Sequence, residues 1–250
     1  MTHNFINSEL CEIDGEKLIY FKHPLNILEQ ITKRLSEIGA EKFYSSPDQE
    51  IKKDRESLAE LFFILAISKF TKRDWFLMQP VDPFPDCYLM GLGDKLNDLI
   101  LEGVELTEII PDCLEYTAAL EIVMKKIKKG YPPNYNLLIF INNINSREWI
   151  SNLNNDIGEL TPFKSIWAVH LLANKDNTDI LATVASRLRP VPPASILTNL
   201  REIRFNKTNS ILEIFDVIKS NNSEFLRMKP EFVSQFKKAV SKRKIEKREK

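Results

Sequence analysis

Glycine is scarce in this chain, with seven in 250 residues. A loop that wraps phosphate with main-chain N–H groups needs clustered glycines, and the close pair here is Gly91 and Gly93. That pair lacks both the third glycine of a dinucleotide fingerprint and the Gly-Lys-Ser/Thr of a P-loop, so nucleotide binding by either device is not expected. Cysteine is also sparse: Cys11, Cys87 and Cys113 are odd in number, widely spaced and without a Cys-x-x-Cys pair. They read as reduced core thiols of a cytoplasmic protein rather than as zinc ligands or a disulfide framework. Long apolar runs are missing as well. None approaches the roughly 18 residues of a membrane span, and the segment Met1 to Asn7 lacks a basic stretch followed by an apolar one. The expectation is a chain neither secreted nor inserted, with no membrane partner.

Net charge is absent too, since 35 Lys and Arg balance 35 Asp and Glu. The balance is uneven along the chain: residues 227–250 carry a net +7 and residues 1–226 a net −7. A solvated, salt-laced helix end is the first explanation of such a basic tail, ahead of a nucleic-acid contact. What is present is an ordinary globular composition, 43% hydrophobic and 28% charged. A chain of this length buries about 70–75% of its unfolded surface, as one large domain or two small ones.

Residues 26–39 space Ile27, Leu28, Ile31, Leu35 and Ile38 by three and four before Gly39, which predicts an amphipathic helix. A second helix is expected from near Ser46, with Pro47 at its first position, to about Phe70. Its segment Leu58 to Ile67 is apolar on every side except at Glu60, so Glu60 is expected inside the protein. From Asp74 the pattern changes to short runs rich in aromatic and branched residues, bounded by proline and glycine. Residues 75–78, 86–90 and 100–110 read as strands. A helix from about Asp112 to Lys129 follows, and then Leu137 to Ile141, a continuous apolar run typical of a strand covered on both faces. Residues 165–172 and 180–185 read as two more strands joined by a turn at Asn174 to Asn177. Helices are expected over 211–220 and 230–248.

This order defines an α/β fold, a mixed central sheet flanked by helices. Residues 1–190 are expected to form the α/β core and 191–250 a mostly helical extension with the basic tail. The extension either packs on the core as one domain or forms an accessory lobe.

Two acids stand inside apolar strands rather than in loops. Asp86 follows Pro85 directly, and Glu105 lies between Val104 and Leu106. If their strands form a hairpin, both carboxylates reach the same side, where they repel each other and lose solvation. A bound cation is the usual remedy. Oxygen ligands without His or Cys favour Mg²⁺ or Mn²⁺, an ion that activates water and stabilises charge on a phosphoryl oxygen. A phosphodiester is the natural substrate for such a pair.

Phe84-Pro85-Asp86, followed nineteen positions later by Glu105-Leu106-Thr107, resembles the signature of the PD-(D/E)xK nuclease-like superfamily. The match covers roughly Glu56 to Ile141. The resemblance implies a restriction-endonuclease-like core, metal-dependent hydrolysis of nucleic acid, most naturally DNA, and commonly a homodimer. It implies Asp86 and Glu105 as ligands of Mg²⁺ or Mn²⁺, the Leu106 carbonyl as a third, and Glu60 or Glu56 as the acid of the preceding helix. Where the superfamily has lysine this chain has Thr107, which carries no positive charge. Either a lysine of the following helix, among Lys125, Lys126, Lys128 and Lys129, supplies the charge, or only the fold and a nucleic-acid- or protein-binding role remain.

Each residue also has a plainer reading. Asp86 alone could cap the turn at Pro85, and Glu105 could sit on an exposed strand face. Lysines at a helix C-terminus oppose its dipole without any catalytic role. Tyr116 and Tyr131 read as packing residues, and His170 as a core histidine.

Overall fold

The computed structural model describes residues 11–13, 16–18, 20–22, 24–73, 75–78, 86–92, 99–110, 115–131, 135–142, 146–158, 161–173, 180–190, 194–199, 215–220 and 223–234. Helix α1 (Pro24–Ile38) buries Ile27 and Ile31 and stops where Gly39 takes a left-handed φ of 80°. That turn leads into a short helix, α2 (Ala40–Ser45), which the sequence pattern did not announce and which buries Phe43 completely. Helix α3 (Gln49–Thr71) begins later than expected. The Asp48 carboxylate, not Ser46, caps it, accepting from the N–H groups of Glu50 at 2.8 Å and Ile51 at 3.4 Å. Such a cap satisfies first-turn donors that have no partner within the helix. Residues 58–64 of α3 are all buried, Glu60 among them, as their continuous apolar character required.

Seven strands between Trp75 and Asn199 form an unbroken mixed sheet: β4 (Trp75–Met78), β5 (Cys87–Leu92), β6 (Leu99–Ile109), β7 (Tyr135–Ile141), β8 (Ser165–Ala173), β9 (Ile180–Arg189) and β10 (Ala194–Asn199). They lie side by side in chain order. β4, β5 and β6 form an antiparallel meander, and β8, β9 and β10 form another. The two parallel steps, β6 to β7 and β7 to β8, are made through α4 (Tyr116–Ile127) and α5 (Ser146–Asp156). Beyond β4 the sheet continues through β3 (Tyr20–Lys22), β12 (Ser223–Met228) and β11 (Phe215–Ser220), all antiparallel, and β1 (Cys11–Ile13) pairs with β2 (Glu16–Leu18) as a separate ribbon.

Three of these strands lie beyond Pro190, where helix was expected. Residues 215–220 are strand β11, not helix. Alternation along Phe215 to Ser220 sets Asp216 opposite Arg227 of β12, and the two form a 2.9 Å ion pair across the strands. Residues 230–234 are helical; the rest of the expected 230–248 helix and residues 211–214 lie outside the described residues, as do Asp112 and the turn at Asn174 to Asn177. Strands from both sides of Pro190 share one sheet.

The sheet separates two apolar cores. Leu138 and Phe140 of β7 point to one shared with α1, α2 and α3; Leu137, Ile139 and Ile141 point to the other, covered by α4 and α5. Every residue of β7 is buried, the outcome expected of a strand sandwiched between helices.

A buried ion pair ties α3 to this sheet. Arg55 holds Glu108 of β6 through two bonds, Nε to Oε1 at 2.6 Å and Nη2 to Oε2 at 3.1 Å. Its Nη1 donates to the carbonyls of Phe43 and Ser46, and Asn142 Nδ2 donates to Glu108 and to the Tyr44 carbonyl. The α2–α3 corner, α3, β6 and the end of β7 are thus held at one point. Replacing Arg55 with Met strands a buried carboxylate, and the expected loss is about 3–5 kcal/mol in urea unfolding, partly recovered when Glu108→Gln is added. A loss under about 1 kcal/mol would mean the pair behaves as a surface salt bridge.

Candidate functional site

The strand acids meet as the hairpin expectation required. Cys87 of β5 pairs with Val104 of β6, so continuing the antiparallel register by one residue sets Asp86 opposite Glu105. Asp86 Oδ2 accepts from the Leu106 main-chain N–H at 2.6 Å. In an extended strand the N–H and C=O of one residue point to the same edge, so the Leu106 main chain faces Asp86 with both groups. Glu105 is fully buried, whereas Asp86 keeps 39% of its side chain exposed. Thr107 is buried on the same face of β6 as Glu105.

A lysine does reach the pair. Lys126 Nζ lies 3.0 Å from Glu105 Oε2 and 3.7 Å from Asp86 Oδ2. Helix periodicity selects it: Ala119 and Val123 bury the sheet-facing side of α4, and Lys126, three residues beyond Val123, continues that stripe. Lys125, Lys128 and Lys129 are exposed, so Lys125, a candidate from the sequence, is not brought to the carboxylates.

The two α3 acids that the resemblance implies, Glu56 and Glu60, have different surroundings. Glu60 is buried and accepts from the Cys87 thiol, whose proton affinity is pushed well up by burial, then by Glu60 and Asp86. Glu56 is held above the usual carboxylate range by burial and, opposed by Lys52, by the charges of Asp86 and Glu108. Among the described residues no group of three or more His, Cys, Asp and Glu side chains is arranged to hold a metal ion.

The electrostatics of the centre follow from burial and repulsion. Burial pushes the Glu105 carboxyl up, Asp86 pushes it further, and Lys126 pulls it back without cancelling the rise. Burial alone would lower the Lys126 ammonium, but Asp86 and then Glu105 outweigh it and hold the group charged. Glu105 Oε1 and the Tyr131 hydroxyl are both buried and lie close enough to shift each other's proton affinity, though without a hydrogen bond of good geometry. Asp86 and Glu105 are the residues that could hold Mg²⁺ or Mn²⁺, an ion that binds through one or two carboxylates and keeps waters in its other positions.

Glu102, three residues earlier on the opposite face of β6, is the useful contrast. It is buried but fully engaged: Asn136 Nδ2 donates to it at 2.7 Å, and the Lys164 ammonium also pairs with it. Asn136 in turn accepts from Ser165, which accepts from the Trp167 indole. This network braces β6, β7 and β8 and leaves no ligand position open. Glu102 was not a candidate from the sequence, although it is an acid within the same apolar run as Glu105.

No family model, no curated protein and no solved structure matches the chain. No helix among the described residues is long and apolar enough to cross a membrane.

The raised proton affinity of Glu105 has a definite sign in stability. Above the ordinary glutamate value of 4.5 the folded chain holds this proton longer than the unfolded chain does. Stability therefore falls as pH rises through the window between that value and the folded one. In metal-free buffer, urea midpoints measured from about pH 4 to about pH 8 should decline more steeply for wild type than for Glu105→Gln over that window. Parallel pH profiles would mean that Glu105 titrates normally.

Proposed function

We propose that this chain is a metal-dependent phosphodiesterase acting on nucleic acid, most naturally DNA, with a PD-(D/E)xK-like centre in which Lys126 replaces the lysine absent at Thr107. The observation that carries the proposal is the Lys126 ammonium between Asp86 and Glu105, 3.0 Å from one carboxylate and 3.7 Å from the other. The order of elements supports it: helix α3, three antiparallel strands with the acids on the second and third, helix α4, then a strand parallel to the third. The resemblance implies a helix with an acid, a strand with Pro-Asp, a strand with Glu-x-Thr, a helix and a buried strand, and the chain has these in that order.

In this reading Asp86 and Glu105 hold the ion, with the Leu106 carbonyl beside them. Glu56, whose carboxyl is raised in part by the Asp86 charge, is a better helix acid than Glu60, which is engaged with Cys87. Mg²⁺ or Mn²⁺, when bound, supplies an acidified water and a Lewis acid for the phosphoryl oxygen. Lys126 remains charged and stands where negative charge develops on the phosphate, the electrostatic task of the superfamily's lysine. Its origin on a helix rather than on the strand does not alter that task, because the ammonium acts through its position in space.

A second reading has its own observation. Lys126 offsets one charge of the acid pair without any metal, no group of three or more His, Cys, Asp and Glu among the described residues is arranged to hold a metal ion, and residues 1–226 carry a net −7. These features suit a non-catalytic nucleic-acid- or protein-binding module that keeps the fold.

The test is incubation of purified protein with single- and double-stranded DNA and RNA in Mg²⁺ or Mn²⁺. Cleavage by wild type should drop by about 100-fold or more in each of Asp86→Ala, Glu105→Ala and Lys126→Ala, while Lys125→Ala stays near wild type. Absence of cleavage by wild type, or activity indifferent to Glu105 and Lys126, would favour the binding module.

A further inference from the structure

Lys126 is a flexible side chain in the last turn of α4, and an ammonium there has other places to go. The final helix carbonyls have no partner within the helix and attract it, and so does open solvent, where Lys125, Lys128 and Lys129 stand exposed. Lys126 is instead largely buried against three groups. Two are the carboxylates, Glu105 Oε2 at 3.0 Å and Asp86 Oδ2 at 3.7 Å. The third is the ring of Tyr131, whose centroid lies 5.7 Å from the ammonium, within range of a cation–π contact.

That ring is held in turn. Tyr131 follows Gly130, whose left-handed φ of 70° turns the chain just past the end of α4. Phe163, buried in the core covered by α4 and α5, packs against the ring at 5.1 Å between centroids, with 33° between the planes. The Tyr131 hydroxyl lies beside Glu105 and Lys126 without a hydrogen bond of good geometry, so what the residue offers the ammonium is its ring.

We infer that Tyr131 is a positioning residue: its ring, backed by Phe163, holds the Lys126 ammonium at the Asp86–Glu105 pair. This inference rests on the metal-dependent reading above and adds to it a group that acts through Lys126 rather than on the phosphate. The need is electrostatic. The carboxylates attract the ammonium only as far as their charge is free, and a divalent ion that uses them draws on the same charge and repels the ammonium as well. An aromatic face keeps its attraction for a cation in either state. The ring therefore favours the place between the acids over the helix carbonyls and solvent when the carboxylates are engaged.

The experiment compares wild type, Tyr131→Phe and Tyr131→Leu in two readouts, with Tyr131→Met in place of the leucine variant if that one does not fold. The first readout is metal-free. The ε-methylene of Lys126 is followed by NMR in protein labelled with ¹³C-lysine, its signal assigned by its disappearance in Lys126→Arg. In wild type and Tyr131→Phe the ring should displace it from the signals of Lys125, Lys128 and Lys129; in Tyr131→Leu it should move to join them. The second readout is cleavage in Mn²⁺. Tyr131→Leu should lose about 10-fold in kcat with KM held within about two-fold, and Tyr131→Phe should restore kcat. A Lys126 signal unmoved by Tyr131→Leu overturns the inference. So does a Tyr131→Phe protein that loses as much kcat as Tyr131→Leu, because the hydroxyl then carries the role. Both results leave the metal-dependent reading intact, whereas wild type that cleaves nothing overturns that reading and the positioning role in catalysis together.

Discussion

Strand β6 carries buried acids on both of its faces, and two of them find a cation in the helix that covers their own face. Glu108 takes Arg55 from α3, and Glu105 takes Lys126 from α4. A carboxylate removed from water costs several kcal/mol unless its charge and its lone pairs are met, so neither helix can shift along the sheet without exposing a debt of that size. The three-layer arrangement is consequently held through polar contacts at its centre as well as by the apolar surfaces of β7. With Arg55 also holding the Phe43 and Ser46 carbonyls, the α2–α3 corner is fastened to the same point.

The two faces differ in how completely they are satisfied. Glu108 has Arg55 and Asn142 on its oxygens, and Glu102, on the same face, has Asn136 and Lys164. Glu105 has one oxygen on Lys126 and the other beside the Tyr131 hydroxyl without a hydrogen bond of good geometry. Polar groups in a low-dielectric interior are costly when half satisfied, and this fold closes two networks on one face and leaves the Glu105 network less complete on the other. The part-exposed Asp86 lies at that same spot, and it also connects the spot to solvent.

Much of this was legible in the chain. The continuous run Leu137 to Ile141 predicts a strand covered on both faces, the all-round apolar segment of α3 predicts the burial of Glu60, and the meeting of the two strand acids follows if their strands form a hairpin. Other elements were hidden for physical reasons. Helix α5 reads as polar because Asn152, Asn154 and Asn155 interrupt its stripe of Trp149, Ile150, Leu153 and Ile157, and asparagine is a weak helix former. Residues 215–220 carry apolar spacing that suits a helix, and the strand wins because Ser223 to Met228 lies within reach as an antiparallel partner that itself pairs with β3. The start of α3 moved because a carboxylate at position 48 accepts two first-turn N–H groups, which the hydroxyl at Ser46 does not.

The sequence by itself determined which residues are able to carry charge into the interior: acids placed within apolar strands, and lysines clustered at the end of an amphipathic helix. Only the tertiary structure decided which of them meet. Four lysines follow Met124 within five residues, and the helical rotation of α4 over β6 presents Lys126 alone to Glu105, because its position extends the stripe of Ala119 and Val123. Glu102, Glu105 and Glu108 look alike in the chain. Their fates diverge because strand alternation sends them to opposite faces, where different helices and neighbouring strands hold different partners.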